Sequence, residues 1–323
     1  MRRPATAELD EVDALARQRL RDAYECAAMG GGDITYRSWT PVGARTKKKR
    51  RFTLLARDGE PKLVSKSALD ADDGKVAGEF DKLTSGSLPP TIEYARPVAR
   101  TETGFIMTYV PAADLPDALL ESGNFAALLE RTVDLVAQMH NHGAVRLPDP
   151  ERRWTVARQY VSEPCTARSE FRAAIEGALL GPTQGDLAPW NLRHDPSTGK
   201  ISIIDWEDYR PLGIAAMDII NLLVTLGLVV FPEYRERGHD WLYNQVLESE
   251  HWYALLLRRL VVRYAERVGT PPRLVIDLLP FHCQWLIARI NAEGRDHAPL
   301  YYRHFFDRYT KMAPRWVEEL ADE

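Results

Sequence analysis

The residues best suited to chemistry lie in the run Gln184-Gly185-Asp186-Leu187-Ala188-Pro189-Trp190-Asn191. Transfer of a phosphoryl group to a hydroxyl needs a carboxylate to accept the proton of the attacking group. It also needs oxygen ligands for the magnesium that bridges the nucleotide phosphates. The spacing Asp-x-x-x-x-Asn offers both from one loop, with Asp186 as base and Asn191 as metal ligand. Alone, such a pair recurs by accident. Fourteen residues after Asn191 comes Asp205, within the run Ile203-Ile204-Asp205-Trp206-Glu207. A turn over residues 195–200 lies between, so the chain folds back and returns Asp205, at the end of an apolar strand, as the second metal ligand. The order of base, Asn, hairpin, apolar run and Asp is far more specific than either half.

The elements that must position these residues are of two kinds. Ala5 to Ala28 carries Leu9, Val12, Leu15, Ala16 and Leu20 at helical spacing, and Gly30-Gly31-Gly32 ends it. From Ile34 to about Val110 short β-type runs dominate. Phe52 to Ala56 and Pro61 to Ser65 flank an Asp58-Gly59 turn. Lys75 to Ser85 reads as a helix, and Thr91 to Ala99 and Phe105 to Val110 as further strands. Helices take over beyond Pro111-Ala112-Ala113-Asp114. Asn124 to His142 is the clearest, capped by Asn124 and ended by Gly143. Leu192 to His194 and Ile201 to Ile204 form a small hairpin. Three or four helices are expected from Met217 onward. The reading is an α+β chain: a sheet-rich part over residues 1–110 with an extra N-terminal helix, then a larger helical part over 111–323.

Gln184 to Asn191 followed by Ile203 to Glu207 closely resembles the aminoglycoside phosphotransferase and choline kinase-like family, whose pattern is His-Gly-Asp-x-x-x-x-Asn and then Ile-Asp-[Trp/Phe]-[Glu/Asp]. Met217-Asp218-Ile219 is similar to that family's downstream Asp on a helix. The resemblance implies a two-lobed protein-kinase-like fold, a small antiparallel-sheet N-lobe and a larger helical C-lobe, with ATP and Mg2+ as cofactors. Asp186 would be the catalytic base. Asn191 and Asp205 would hold magnesium, Glu207 would support a second ion, and Asp218 would brace the loop backbone. Leu63-Val64-Ser65-Lys66 resembles the strand that supplies the phosphate-binding lysine. Lys66 is therefore the expected residue, with Lys62 on the same strand face as the alternative. Glu79 would pair with it. Phe105 to Val110 resembles the hinge strand, so the backbone at Met107 and Tyr109 would meet the adenine. The chain departs from the family pattern at Gln184, which replaces the His, and in lacking a glycine-rich loop before Lys66. In that place stands Lys47-Lys48-Lys49-Arg50-Arg51, a basic run suited to phosphates or to a solvated hairpin tip.

The bulk numbers narrow the alternatives. A formal charge of -4 over 323 residues argues against nucleic-acid binding. Three scattered cysteines and the lack of an apolar leader point to a reduced, cytoplasmic protein without a membrane span. His140 and His142 read as helix-end histidines that interact with the dipole and the last carbonyls. The aromatic stretches at Trp252-Tyr253 and Tyr301 to Phe306 read as helix packing. The expected activity is phosphorylation of a small-molecule hydroxyl: a sugar or glycan, an antibiotic or an amino alcohol. The Pro189-Trp190-Asn191 ending looks similar to members found beside sugar-related enzymes. Alternatives are a kinase-like scaffold without turnover and a protein kinase. The latter is disfavoured because only about a dozen residues separate Asp205 from the Asp218 helix.

Overall fold

A computed structural model describes residues 6–27, 31–41, 50–70, 73–145, 149–297 and 300–320. They fall into two compact units. The first comprises the described residues up to Leu88, then Glu93–Ala112 and Ser202–Asp208. The second comprises Pro89–Ile92, Ala113–Ile201 and the described residues from Tyr209 on. The sequence division at 110/111 follows the chain linearly, whereas Ser202–Asp208 packs with the first unit.

The first unit is built on five antiparallel strands: β1 (Ile34–Trp39), β2 (Arg50–Arg57), β3 (Glu60–Ala68), β4 (Pro97–Arg100) and β5 (Gly104–Thr108), in the spatial order β1-β2-β3-β5-β4. The β2–β3 turn places Asp58 and Gly59 at φ 49° and 80°, the left-handed pair that a tight hairpin needs. The strand expected over Thr91 to Ala99 is shorter. Pro97 has no N–H for a ladder and stands at the strand's first position, so β4 begins there.

Helix α1 (Thr6–Cys26) covers one sheet face, where Leu20 and Tyr24 pack with Leu55, Leu63 and Ile106. Arg51 clamps the helix to β2 through a bidentate pair with Asp13, Nε to Oδ1 at 2.8 Å and Nη2 to Oδ2 at 2.6 Å. Helix α2 (Gly74–Thr84) packs its Phe80 against Phe105, on the opposite face because neighbouring strand residues alternate. Asp73 caps α2 by accepting the Lys75 N–H at 3.2 Å. Val76, Glu79 and Leu83 form its buried side, so a carboxylate sits in an otherwise apolar stripe.

The second unit begins with β6 (Ala113–Asp114), α3 (Leu115–Glu121) and α4 (Phe125–Asn141). Asn124 caps α4 by accepting the Ala127 N–H, and Gly143 follows its end at φ 69°. Next come α5 (Pro150–Arg158), α6 (Ser169–Gly177) and β7 (Leu180–Thr183). Strand β8 (Leu192–His194) pairs with β6 and turns through residues 195–200 into β9 (Ile201–Ile203), within which the division between units falls. Strand β10 (Arg210–Ile214) pairs with β7. The buried helix α7 (Ala216–Val230) follows, then short α8 (Tyr234–Arg237) and α9 (His239–Tyr243). The unit closes with α10 (Trp252–Val268), α11 (Pro272–Ile276), α12 (Leu279–Ala292), α13 (Tyr301–Lys311) and α14 (Arg315–Glu319). The three or four expected helices correspond to the longer α7, α10, α12 and α13, with short ones between them. No helix among the described residues is long and apolar enough to cross a membrane.

Candidate active site

The loop 184–191 is held from beneath by α7. Asp218, 2% exposed, accepts the Gln184 N–H on Oδ2 at 2.6 Å and the Gly185 N–H on Oδ1 at 2.9 Å. Gly185 adopts φ 88°, a left-handed conformation natural to glycine. Gln184, fully buried, accepts the Asp186 N–H on its Oε1 at 2.8 Å. The residue that departs from the family pattern thus folds back over the loop and fixes its next peptide. Asn191 donates from Nδ2 to the Asp186 carbonyl at 2.8 Å, which leaves the oxygen of its amide as the atom suited to a cation. The Asp186 side chain remains 34% exposed.

His140 differs from its sequence expectation. It is completely buried at the end of α4, where its Nε2 lies 3.3 Å from Asp218 Oδ2 and its Nδ1 2.7 Å from the Tyr264 hydroxyl. A nitrogen facing a carboxylate must carry the proton, so Nε2–H donates to Asp218 and Nδ1 accepts from the Tyr264 O–H. Burial, then the Asp218 charge, raises the Tyr264 pKa and keeps that hydroxyl protonated. His142 is exposed and only caps the helix.

The first unit holds the second group of residues. Lys66 on β3 is 3% exposed, with its Nζ 2.6 Å from Glu79 Oε2 and 2.7 Å from Asp205 Oδ1. Glu79 also accepts the Trp206 N–H on Oε1 at 2.9 Å, so α2 fixes both the lysine and the segment after Asp205. Gly104 of β5 runs so close to the Lys66 carbonyl that no Cβ fits there. Burial works against the charge on Lys66, but Asp205, Glu79 and Glu207 outweigh it and raise its pKa. The same burial raises Glu79, with Lys66 opposing it. Asp205 has φ 59°, a conformation costing a non-glycine residue about 1–3 kcal/mol. Lys62, the alternative lysine, is only partly buried and contributes its backbone carbonyl to Tyr109.

Around this centre the ion pairs continue. Glu207 lies 2.9 Å from Arg50 and 3.7 Å from Lys66, and Arg50 also meets Asp73 at 3.1 Å. Lys75 pairs with Asp208 at 3.1 Å, and Lys82 donates to the Glu207 carbonyl. Of the basic run, Lys47 to Lys49 lie outside the described residues. Arg50 and Arg51 serve carboxylates of the protein, so neither is the solvated tip that the sequence suggested. Carboxylate oxygens of Glu79, Asp205 and Glu207 lie within 4.8 Å of one another, an all-oxygen set suited to a hard divalent cation. Glu79 is committed to Lys66 and Trp206, and Asp205 is the most exposed of the three at 37%.

Met107 stands in β5 opposite Val64 and Pro97, and the Tyr109 N–H is donated to the Lys62 carbonyl at 2.8 Å. The Tyr109 donor is therefore taken up by the sheet, and the chain leaves the ladder only at Val110. The sequence also gave no sign of Arg289. This residue of α12 places its Nη2 3.5 Å from Asp186 Oδ2. Its partner is 103 residues away, beyond the reach of any local spacing rule. Tyr253, Tyr301 and Phe305 are buried, as packing requires, whereas Trp252 is half exposed.

No protein-family model matches the chain, and no curated protein matches it in sequence. Solved structures do resemble it. The choline kinase LicA from Streptococcus pneumoniae is 13% identical, with 95% of this chain and 99% of that one covered at a TM-score of 0.50. An ethanolamine kinase from Plasmodium vivax is also 13% identical, with 88% and 83% covered at a TM-score of 0.50. At such identities the likeness concerns the fold. The chain has the protein-kinase-like fold of these proteins, an antiparallel sheet in its N-terminal part and a larger helical part after it.

Proposed function

We propose that the chain is an ATP- and magnesium-dependent phosphotransferase that moves the γ-phosphoryl group to a hydroxyl of a small molecule. The observation that carries this reading is the loop 184–191. It presents a partly exposed Asp186 on a backbone pinned by Asp218, Gln184 and Asn191. A base gains rate by being held where the proton will be, and the bonds from Asp218, Gln184 and Asn191 hold the loop backbone to that end.

In this reading Asp186 accepts the proton of the acceptor hydroxyl as its oxygen attacks phosphorus. Asn191 and Asp205 are the residues that would each offer an oxygen to magnesium, and Glu207 the one that would offer an oxygen to a second ion. A cation held there would supply positive charge against that of the phosphates. Lys66, fixed by Glu79, turns from Asp205 toward the phosphates. The nucleotide base lies along the hinge by Met107 and Tyr109, at carbonyl groups or beyond the ladder at Val110. A small acceptor fits better than a peptide, because a one-turn helix over Trp206–Asp208 and then β10 fill the stretch between Asp205 and α7. The likeness to choline and ethanolamine kinases agrees with a small acceptor as a class.

The test is metal-dependent ADP release across sugars, antibiotics and amino alcohols, with Asp186→Asn as control. The variant is expected to lose at least 100-fold in turnover, in line with loss of a general base, while binding ATP as the wild type does. Retention of more than a tenth of the turnover would remove Asp186 as the base. ATP binding without turnover by any acceptor would favour a kinase-like scaffold.

A further inference from the structure

We infer that Trp190 is the platform on which the acceptor lies, and that the acceptor is a cyclic polyol whose C–H face covers the indole while one of its hydroxyls meets Asp186. The inference rests on the reading of Asp186 as the base.

The chain has eight tryptophans. Seven of them stand against another ring or an arginine of the protein. Trp190 has no such partner among the described residues, and 47% of it is exposed. It is also the one tryptophan in the loop 184–191, four residues after the base and directly before Asn191.

The loop holds the indole outward. Pro189, Trp190 and Asn191 form a single tight helical turn, entered through a proline whose ring sets φ. The Asn191 N–H is donated to the Ala188 carbonyl at 2.9 Å, and the Leu192 N–H to the Pro189 carbonyl. Pro189 and Asn191 are buried. With three residues to such a turn, neighbouring side chains diverge by about 120°, so burial of these two directs Trp190 to solvent. The Asp186 side chain, 34% exposed, leaves the same loop. Asn191 closes that loop by donating to the Asp186 carbonyl at 2.8 Å. An acceptor that brings a hydroxyl to Asp186 therefore arrives beside the turn that carries the indole. The indole keeps apolar area in water that such a ligand can cover. A ring with two rotatable bonds on a closed turn loses little freedom when covered.

The chemistry of the occupant follows from what an indole offers. Its face is apolar, and its edge carries one N–H that needs an acceptor once covered. A cyclic polyol meets both needs, with C–H groups on a face and oxygens around the rim, one of them for Asp186. Tryptophan also favours quaternary ammonium groups, but these are held in cages of several aromatic rings. Among the described residues Trp190 has no second ring beside it. An open-chain polyol has the oxygens but no fixed flat face, and it must be ordered on binding.

The experiment uses the full chain and acceptors matched in carbon number: a pyranose such as glucose, a cyclitol such as inositol, the corresponding open-chain alditols, and choline for comparison. Two signals are read: ADP release with ATP and magnesium, and the shift in Tm on adding acceptor alone. The ring polyols are expected to raise Tm and to exceed the alditols at least tenfold in kcat/KM. Trp190→Ala should raise KM for the rings about tenfold, as loss of a stacked face does, while KM for ATP and the Tm of the free protein stay near wild type. Trp190→Phe should restore part of the binding. Equal use of rings and alditols overturns the inference, and so does a preference for choline. A Trp190→Ala variant that raises KM for ATP and leaves that of the acceptor unchanged also overturns it, since the indole would then serve the nucleotide. If Trp190→Ala does not fold, as judged by circular dichroism, Trp190→Leu takes its place beside the wild-type ranking. Ring polyols that raise Tm in a Trp190-dependent way with no ADP release uphold the platform and sink the phosphotransfer reading. ADP release that ignores both ring and indole does the reverse. Neither a shift nor release sinks both.

Discussion

Two N–H groups, those of Gln184 and Gly185, share the Asp218 carboxylate, and His140 supplies a third donor with Tyr264 behind it. A fully buried carboxylate is tolerable because each of its bonds is made. Replacing His140 by Ala removes one donor and strands the Tyr264 hydroxyl, which should cost about 1–3 kcal/mol. The loop it steadies should also lose geometry, so His140→Ala is expected to lower kcat more than tenfold with little change in KM for ATP. Urea unfolding and steady-state kinetics measure the two effects, and an unchanged kcat would reduce His140 to a packing residue. Asp186, Asn191 and Asp205 could be singled out as candidates because their order and spacing are local, and Asp218 through the family resemblance. His140 could not, since its partner is 78 residues away and a histidine near a helix end has an ordinary explanation. Gln184 was visible only as a departure, and its fold-back bond to the Asp186 N–H gave it meaning.

Helices and strands followed their local signals closely where those signals were periodic or capped. Helix α4 runs from the Asn124 cap to Asn141, and the Asp58-Gly59 turn forms the hairpin that its residue types demand. The region from Thr91 to Ala99 misled because its β-type residues are interrupted by Pro97, and a missing N–H counts for more than propensity. What spacing could not reveal was how α1 is fastened. Arg51 belongs to a basic run that suggests phosphate, yet its fork closes on Asp13. The hydrogen bond to Arg51 outweighs burial and holds the Asp13 carboxyl below its ordinary value near 3.8. A depressed carboxylate stabilises the fold fully above its unfolded pKa, and that contribution fades as pH falls through the folded value. The Tm difference between wild type and Asp13→Asn should therefore be largest above about pH 5 and close as pH is lowered toward 2. A difference that stays constant over that range would mean that the pair contributes nothing through charge.

At the scale of the whole molecule, the sequence revealed a sheet part followed by a helical part but not that the first unit is discontinuous. Ser202–Asp208 lies far along the chain and yet belongs with residues up to Ala112. It inserts Trp206, 1% exposed, whose ring meets Tyr94 at 6.2 Å and whose N–H is accepted by Glu79. A fragment ending at Ala112 should therefore fail to fold cooperatively. Removing Trp206 deletes core volume, a loss of about 3–5 kcal/mol, and takes Asp205 and Glu207 away from Lys66, which keeps only Glu79. A sharp, two-state unfolding transition for that fragment, followed by circular dichroism, would refute the expectation.

That discontinuity also sets an order of events during synthesis. Domains generally fold from the N-terminus as the chain emerges, but here the sheet unit emerges long before the segment that neutralises and covers its centre. A nascent chain halted before Ser202 carries Lys66 with Glu79 but without Asp205 or Glu207, and Glu79 without the Trp206 peptide. The first unit must wait, incomplete, until the loop 184–191 has already been translated. That loop and the segment that completes this unit therefore arrive in the same stretch of translation.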